Sequence, residues 1–335
     1  MSRPFLIAVI ISSIIVFLGI NILSPYLVVN LEGSREVDFV IEKGESAAEV
    51  GAALKKEGLI NNEFTFSIYV FLKKLEDDFK AGEYKLYTGM GIGEIIKILT
   101  TGIYPEVKIT IIEGWNIKDI TKYLVKKNLV DSKDFLNETQ NVDVEWLVKY
   151  DFLKDKPERA SLEGYLFPDT YKIFVGTNSK AIVNKMLSNF EKRVNKEMLD
   201  EIKFQGKTLY EILVMASIIE KEVPKDEDRK IVADVFYKRL KIGKALESCA
   251  TINYILGDSK KKLSFEDTRV ESSYNTYIHP GLPPGPICNP SLSAIKAAIY
   301  PQKNDYWYFL SADDGTTIFS KTIEEHIKNK AKYLK

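Results

Sequence analysis

Thr208–Pro224 reads TLYEILVMASIIEKEVP, and its pattern sets the centre of the fold. From Leu209 to Ile219 the side chains are apolar on nearly every face: Leu209, Ile212, Leu213, Val214, Met215, Ala216, Ile218 and Ile219. A helix apolar all round is a buried helix, so other elements must pack about it. Pro224 ends it, because proline lacks the N–H and clashes with the preceding turn. Glu220 extends the apolar run. A carboxylate at the mouth of a buried helix loses hydration, which disfavours its charged form. It also stands near the helix C-terminus, where backbone carbonyls oppose negative charge. Both effects favour a retained proton, as a general acid requires. The plainer alternative is that Glu220 begins the solvated end of the helix, together with Lys221 and Glu222.

Downstream of this helix the elements follow in a clear order. EDRKIVADVFYKRLKIG (Glu227–Gly243) carries an apolar stripe through Val232, Phe236 and Leu240, and upstream Ile182, Met186, Phe190 and Val194 form another. SLSAIKAAIY lies between Pro290 and Pro301 with Ser291 as its cap. YWYFLSADDGTTIFS (Tyr306–Ser320) reads as a hairpin turning at Asp314-Gly315, and Thr322 with Glu325 suits a capping box for a last helix.

The N-terminal half contains a repeat. Val37 onward, VDFVIEKGESAAEVGAALKKEGLI, aligns without gaps to Val107 onward, VKITIIEGWNIKDITKYLVKKNLV. A shorter copy, EYKLYTGMGIGEIIKILTTG, sets Gly89, Glu94 and Leu99 in register with Gly44, Glu49 and Leu54. Each copy is an alternating strand, a glycine turn and an amphipathic helix. Units this small cannot hold separate cores, so they are expected to pack into a compact α+β module. Val37–Gly102 resembles a LysM-type module, a fold that in other proteins grips N-acetylglucosamine-containing chains. Residues 137–160 read as charged and irregular apart from a short stretch around Trp146, and mark the boundary with the second half.

Phe5–Leu23 (FLIAVIISSIIVFLGINIL) has no charge and as a helix spans ~28 Å, close to a hydrocarbon core. Arg3 and the amino terminus favour a short tail inside and the remainder outside. A retained anchor is preferred over a cleaved signal peptide, because the run is long for one and no small-x-small cleavage site follows. The expected order is therefore a tail (1–4), a transmembrane helix (5–23), a linker (24–36), the LysM-like module (37–102), a second repeat with connector (103–160) and an α+β catalytic domain (161–335).

Lys and Arg total 47 and balance the 47 Asp and Glu, so no net field recruits nucleic acid. The two cysteines, Cys249 and Cys288, are read as small buried thiols rather than as a disulfide scaffold. With only His279 and His326 besides, no metal-ligand spacing is present, and no cofactor is expected.

Two loops carry further chemistry. SLEGYLFPDTY places Glu163, Tyr165, Phe167, Asp169 and Tyr171 in an aromatic, proline-broken stretch, and SSYNTYIHPGLPPGPICNP carries Tyr274, Asn275, Thr276 and Tyr277 among five prolines. Aromatic faces beside amides and hydroxyls suit a sugar: stacking for the ring, hydrogen bonds for its substituents. Packed loops filled by Tyr and Pro are the structural alternative.

Taken in order, LEGYLFPDTY, ASIIEKEV, VFYKRL, YNTY, GLPPGPI, YWYFL and the late GTTIF…EEH resemble the endolytic murein transglycosylases of the MltG (YceG-like) type. The resemblance covers Leu162 to His326 and implies that Glu220 is the catalytic glutamate. Where such enzymes often carry an aspartate–proline pair before a threonine, this chain has Cys249 and Ala250 before Thr251. The resemblance further implies lytic cleavage of the β-1,4 bond between N-acetylmuramic acid and N-acetylglucosamine in nascent strands at the inner membrane. Penicillin-binding synthases are the protein partners it suggests. Glu163, Tyr165, Asp169, Tyr274, Asn275, Thr276 and Tyr277 are expected to seat or orient the glycan. Two other readings stay open: a hydrolytic muramidase pairing Glu220 with Glu163 or Asp169, and a non-enzymatic wall-binding scaffold.

Overall fold

A computed structural model of the chain describes residues 35–103, 106–174, 177–258, 260, 263–312 and 315–334. Phe5–Leu23 lies outside the described residues, and among those residues no helix is long and apolar enough to cross a membrane. The architecture is mixed α+β, with many helices and small two-stranded sheets. Two compact units divide it. One holds the described residues up to Ile109, with Lys122–Phe135 and Lys172–Ile182; the other holds those of Thr110–Thr121, Leu136–Tyr171 and Val183–Lys335.

In the first unit, β1 (Glu36–Ile41) turns Val37, Phe39 and Ile41 inward at the two-residue period of a strand. It pairs antiparallel with β2 (Gly82–Tyr87), Glu36 facing Tyr87 and Ile41 facing Gly82. Between the strands run α1 (Ala47–Lys56) and α2 (Glu63–Lys73), and α3 (Ile92–Thr101) follows β2. Val50, Leu54, Phe66, Val70, Leu86, Ile95 and Leu99 form the core. Ser46 and Glu49 close a capping box on α1, with the Ser46 N–H donating to Glu49 Oε2 at 2.7 Å. The repeat is thus real structure, since strand, turn and helix recur and the aligned Gly44 and Gly89 both have φ of 95°. The helix α2, which lies between the copies, has no counterpart in the sequence reading. Asn62 caps it by accepting from the Phe64 N–H at 2.8 Å.

The gapless copy gives β3 (Glu106–Thr110), which pairs with β4 (Thr170–Phe174), and α4 (Ile117–Lys126). Of the stretch expected to be irregular, residues 137–140 instead end the helix α5 (Ser132–Gln140), while the excepted stretch around Trp146 forms α6 (Val144–Lys149). Most of its charged residues are exposed, Lys156 being buried, while its aromatics are core: Trp146, Tyr150 and Phe152 are buried, and the Phe152 ring lies 4.9 Å from the Phe190 ring.

The second unit is built on α9 (Leu209–Glu222), started by a Thr208–Glu211 capping box and buried from Leu209 to Ile219 except at Glu211. Packed on it are α8 (Lys196–Phe204), α10 (Asp226–Lys241), α11 (Cys249–Leu256) and α12 (Leu292–Ile299). On α7 (Ser179–Arg193), Ile182, Val183, Met186, Leu187 and Phe190 are buried, as their spacing predicts. The hairpin forms from β5 (Tyr308–Ser311) and β6 (Thr317–Ser320), Tyr308 facing Ser320. Asp314 of its turn lies outside the described residues. Thr322 caps α13 (Ile323–Tyr333), but the Glu325 carboxylate accepts from the Lys321 N–H at 2.7 Å rather than completing a box with Thr322.

Candidate active site

Glu220 sits in the last turn of α9, its side chain only 6% exposed. Its Oε1 accepts from Arg229 Nη2 at 3.0 Å. Its Oε2 accepts from the Ser291 N–H at 2.9 Å and from the Ser291 hydroxyl at 2.5 Å. Three helix ends meet here: the C-terminus of α9, the first turns of α10, and the N-terminus of α12, where Ser291 is the cap. Arg229 is equally buried, and it also donates from Nε to the Val223 carbonyl at 3.2 Å and from Nη1 to Asp226 at 2.9 Å. Glu220 is therefore not the start of a solvated helix end. Desolvation was legible in the sequence; the buried ion pair was not.

Gly114 brings a third segment to the carboxylate. Its φ of 78° favours glycine, and a Cβ there would lie 3.6 Å from Glu220 Cγ and 3.4 Å from Lys221 Cδ. The Gly114 N–H donates to the Asn289 carbonyl at 3.0 Å and its own carbonyl accepts from Lys221 Nζ at 3.3 Å. The neighbouring Glu113 is exposed, and its carboxyl titrates above the ordinary carboxylate range. Partial burial is the main cause, then the nearby Glu220 charge, with Arg229 opposing and Asp226 adding to the rise.

Glu163 is buried and carries no ion pair among the described residues. It accepts from the Ile117 N–H at 3.0 Å and from Asn289 Nδ2 at 2.9 Å. Burial is the largest influence and raises its pKa to about 8; the Ile117 N–H offsets part of this, and Asp119 adds to it. Asn289 Oδ1 in turn accepts the N–H groups of Gly164 and Leu166, both at 2.9 Å. The two sequence loops are thereby fastened together. Gly164, with φ of 90°, lies so close to Pro286 that a Cβ would come within 2.8 Å of its ring.

The remaining expected glycan residues divide by burial. Tyr165 is fully buried and packs against Phe152 and Phe190. Asn275 and Thr276 are buried as well. Asn275 Nδ2 donates to the Val270 carbonyl at 2.8 Å, and Thr276 Oγ1 accepts from the Ser248 N–H at 3.1 Å, so both bond neighbouring backbone. Asp169 pairs with Arg193 at 2.8 Å and Asn189 at 3.0 Å. Tyr274 and Tyr277 remain half-buried, with Tyr274 5.0 Å from the Tyr254 ring and the Tyr277 hydroxyl 3.1 Å from Cys249 Sγ. Both cysteines are free; Cys288 is buried and Cys249 exposed, so only one of the two expected buried thiols is found.

Glu222 departs from its reading as a solvated residue. Its Oε1 accepts from the Ser248 hydroxyl in a very short contact and from the Ala250 N–H at 3.1 Å, and burial raises its pKa. Arg229, Ser291, Glu113 and Asn289 were not singled out as site residues from sequence. For Arg229 a signal existed, since it shares a helix face with Val232 and Phe236, and a charge on an apolar stripe needs a buried partner.

A buried, ion-paired glutamate among fastened aromatic and proline-rich loops defines a carboxylate-centred site on an α+β scaffold. The YceG-like family profile matches residues 39–332, and the chain belongs to that family. It is 35% identical over 327 residues to the endolytic murein transglycosylase of Bacillus subtilis (strain 168), covering 94% of this chain and 89% of that one. It is 32% identical over 338 residues to the protein of the same name from Streptococcus pneumoniae serotype 2 (strain D39 / NCTC 7466), covering 93% of this chain and 61% of that relative. A crystal structure of a yceG-like protein from Listeria monocytogenes matches with a TM-score of 0.61 at 33% identity, over 88% of this chain and 99% of that one.

Proposed function

We propose that the chain is a lytic transglycosylase that cuts peptidoglycan strands internally, with Glu220 acting as acid and then as base. Protonated Glu220 donates to the glycosidic oxygen as the bond from the muramic C1 breaks. The muramic C6 hydroxyl attacks C1, and its proton passes to the Glu220 carboxylate. No water is consumed: the products are a 1,6-anhydro-muramic end and a free 4-hydroxyl, and Glu220 ends protonated as it began. The tethered hydroxyl supplies the effective molarity that a hydrolase must obtain from a positioned water. The observation that supports this best is the fixed Glu220 carboxylate at the end of the buried helix, with Arg229 and Ser291 on its two oxygens.

Glycan contacts are assigned to Tyr274 and Tyr277, the half-exposed members of their loop; Glu163, Asp169, Tyr165, Asn275 and Thr276 act behind them by holding backbone in place. Val37–Gly102 serves as a LysM-like glycan-binding module, and residues 161–335 as the catalytic domain. Phe5–Leu23 anchors the chain in the inner membrane with the remainder outside. There the enzyme meets nascent strands beside their synthases and terminates their elongation.

Digestion of purified, uncrosslinked glycan strands followed by mass analysis tests the chemistry. Anhydro ends are expected from the wild type and at a rate lower by ~10²-fold or more from E220Q. Ordinary reducing ends would favour the second reading, hydrolysis, for which Glu113, whose carboxyl feels the Glu220 charge, is a nearby second carboxylate.

A further inference from the structure

The bonds around Glu220 distinguish its two oxygens. An ionised carboxylate oxygen offers two acceptor sites. Those of Oε2 are both taken, by the N–H and the hydroxyl of Ser291. That hydroxyl has nowhere else to point. Its oxygen already accepts from Arg229 Nη1 at 2.9 Å and from the Ala294 N–H at 3.2 Å, so its one proton is directed at Oε2. Oε1 accepts only from Arg229 Nη2 among the described residues, and keeps one site open.

We propose that Arg229 and Ser291 are positioning residues that close Oε2 and leave the open side of Oε1 as the place where Glu220 carries and receives the proton of the reaction. The inference rests on Glu220 being the acid–base of the proposed function. Arg229 can do this because its own orientation is preset. The Val223 carbonyl and Asp226 fix Nε and Nη1 across the Pro224 turn, which leaves Nη2 aimed at Oε1. A guanidinium bonds Glu220 and Ser291 at once through a rigid fork, whereas a lysine is a single point charge and reproduces one contact at best. Lys221 does not substitute for it, since its ammonium is bonded to the Gly114 carbonyl, and Glu113 and Asp226 add only negative charge nearby. Without the fork, the carboxylate swings between rotamers, and a misplacement of about 1 Å at a reacting group costs on the order of a hundredfold in rate.

The test uses full-length enzyme in detergent on uncrosslinked strands, measuring kcat and KM for R229Q, R229K, S291G, E220Q and the double variant R229Q/E220Q. R229Q is expected to lower kcat about a hundredfold with KM within about threefold, because Arg229 acts on the carboxylate and not on the glycan. R229K should recover part of that loss, and S291G, which keeps the N–H bond to Oε2 and a tolerated cap, should lose about tenfold. The double variant should be no slower than E220Q alone, as for residues that act as one unit. Wild-type kcat in R229Q, or a further large drop when it is added to E220Q, would overturn the inference. If R229Q does not fold, S291G decides, and wild-type kcat there overturns it equally. Retained activity in E220Q is a separate result: it removes the proposed function itself.

Discussion

Glu220 and Glu163 are buried carboxylates of the same unit with opposite surroundings. Glu220 meets a guanidinium, a hydroxyl and a backbone N–H, at a point where three helix ends and the Glu113–Gly114 turn converge. Glu163 meets only amides, those of Ile117 and Asn289, and lies under the loops that it ties together. Burial without a cation pushes Glu163 to about 8, so at neutral pH it is mostly a protonated hub. The contrast teaches that burial alone does not set a carboxylate's role. What separates the two is the charged partner that fixes one carboxylate, and the second, exposed carboxylate beside it.

The comparison breaks first at Glu220. E220Q keeps shape and size but cannot donate a proton, so turnover on glycan strands should fall by ~10²–10⁴-fold or more, since in the proposed mechanism one group serves as both acid and base. Glycan binding and the melting temperature should persist better than in an alanine variant, because the amide still bonds Ser291. Activity within tenfold of wild type would place the acid elsewhere.

Glu163 should respond in stability and its pH dependence rather than in chemistry. Its folded pKa is raised from 4.5 to about 8, so the folded state binds more protons than the unfolded chain between these values. Its stabilisation is full below about pH 4.5 and lost as pH rises through about 8, an effect on the order of a few kcal/mol. E163Q cannot ionise. Wild-type melting temperature should therefore drop between pH 5 and pH 8 by more than that of E163Q, and equal slopes would refute the assignment. Anhydro ends should persist in E163Q, with activity reduced by roughly tenfold through the loosened loops.

The elements most readable from sequence were those with a single dominant signal. All-round apolarity gave α9, stripes gave α7 and α10, and the Asp-Gly turn gave the last hairpin. The helix α2 escaped because Phe64, Phe66, Ile68, Tyr69, Val70 and Phe71 crowd its faces with strand-favouring side chains, which erases the helical period. Its only start signal is Asn62. Within the site, Glu220 stood out by position on a buried helix, but its partners lie on other elements. Ser291 reads as an ordinary cap, and its second bond, to a residue 71 positions away, leaves no local trace. Arg229 lies across a proline turn, where no helical spacing rule applies. The burial of Tyr165 and Thr276 was hidden for the converse reason: the residue types that hold sugars also hold loops.

The smallest expected effect sharpens the contrast at Glu222, two residues beyond Glu220. Its bonds from the Ser248 hydroxyl and the Ala250 N–H both end on one oxygen, Oε1. In E222Q that oxygen is still present, and a charged form that burial disfavours is removed. Activity should stay within about twofold of wild type and stability within ~1 kcal/mol. E222A differs, because it strands the hydroxyl and the N–H that open α11; each unpartnered group costs ~1–3 kcal/mol, read as a fall in melting temperature. The order of the three substitutions follows from geometry alone. Gln is severe at 220, where the proton is used, and mild at 222, where only an acceptor is needed, while Ala at 222 harms folding and not chemistry. If E222Q lost turnover as E220Q does, with its fold intact, the proton would be shared along the last turn of α9 and the separation of the two glutamates would fail.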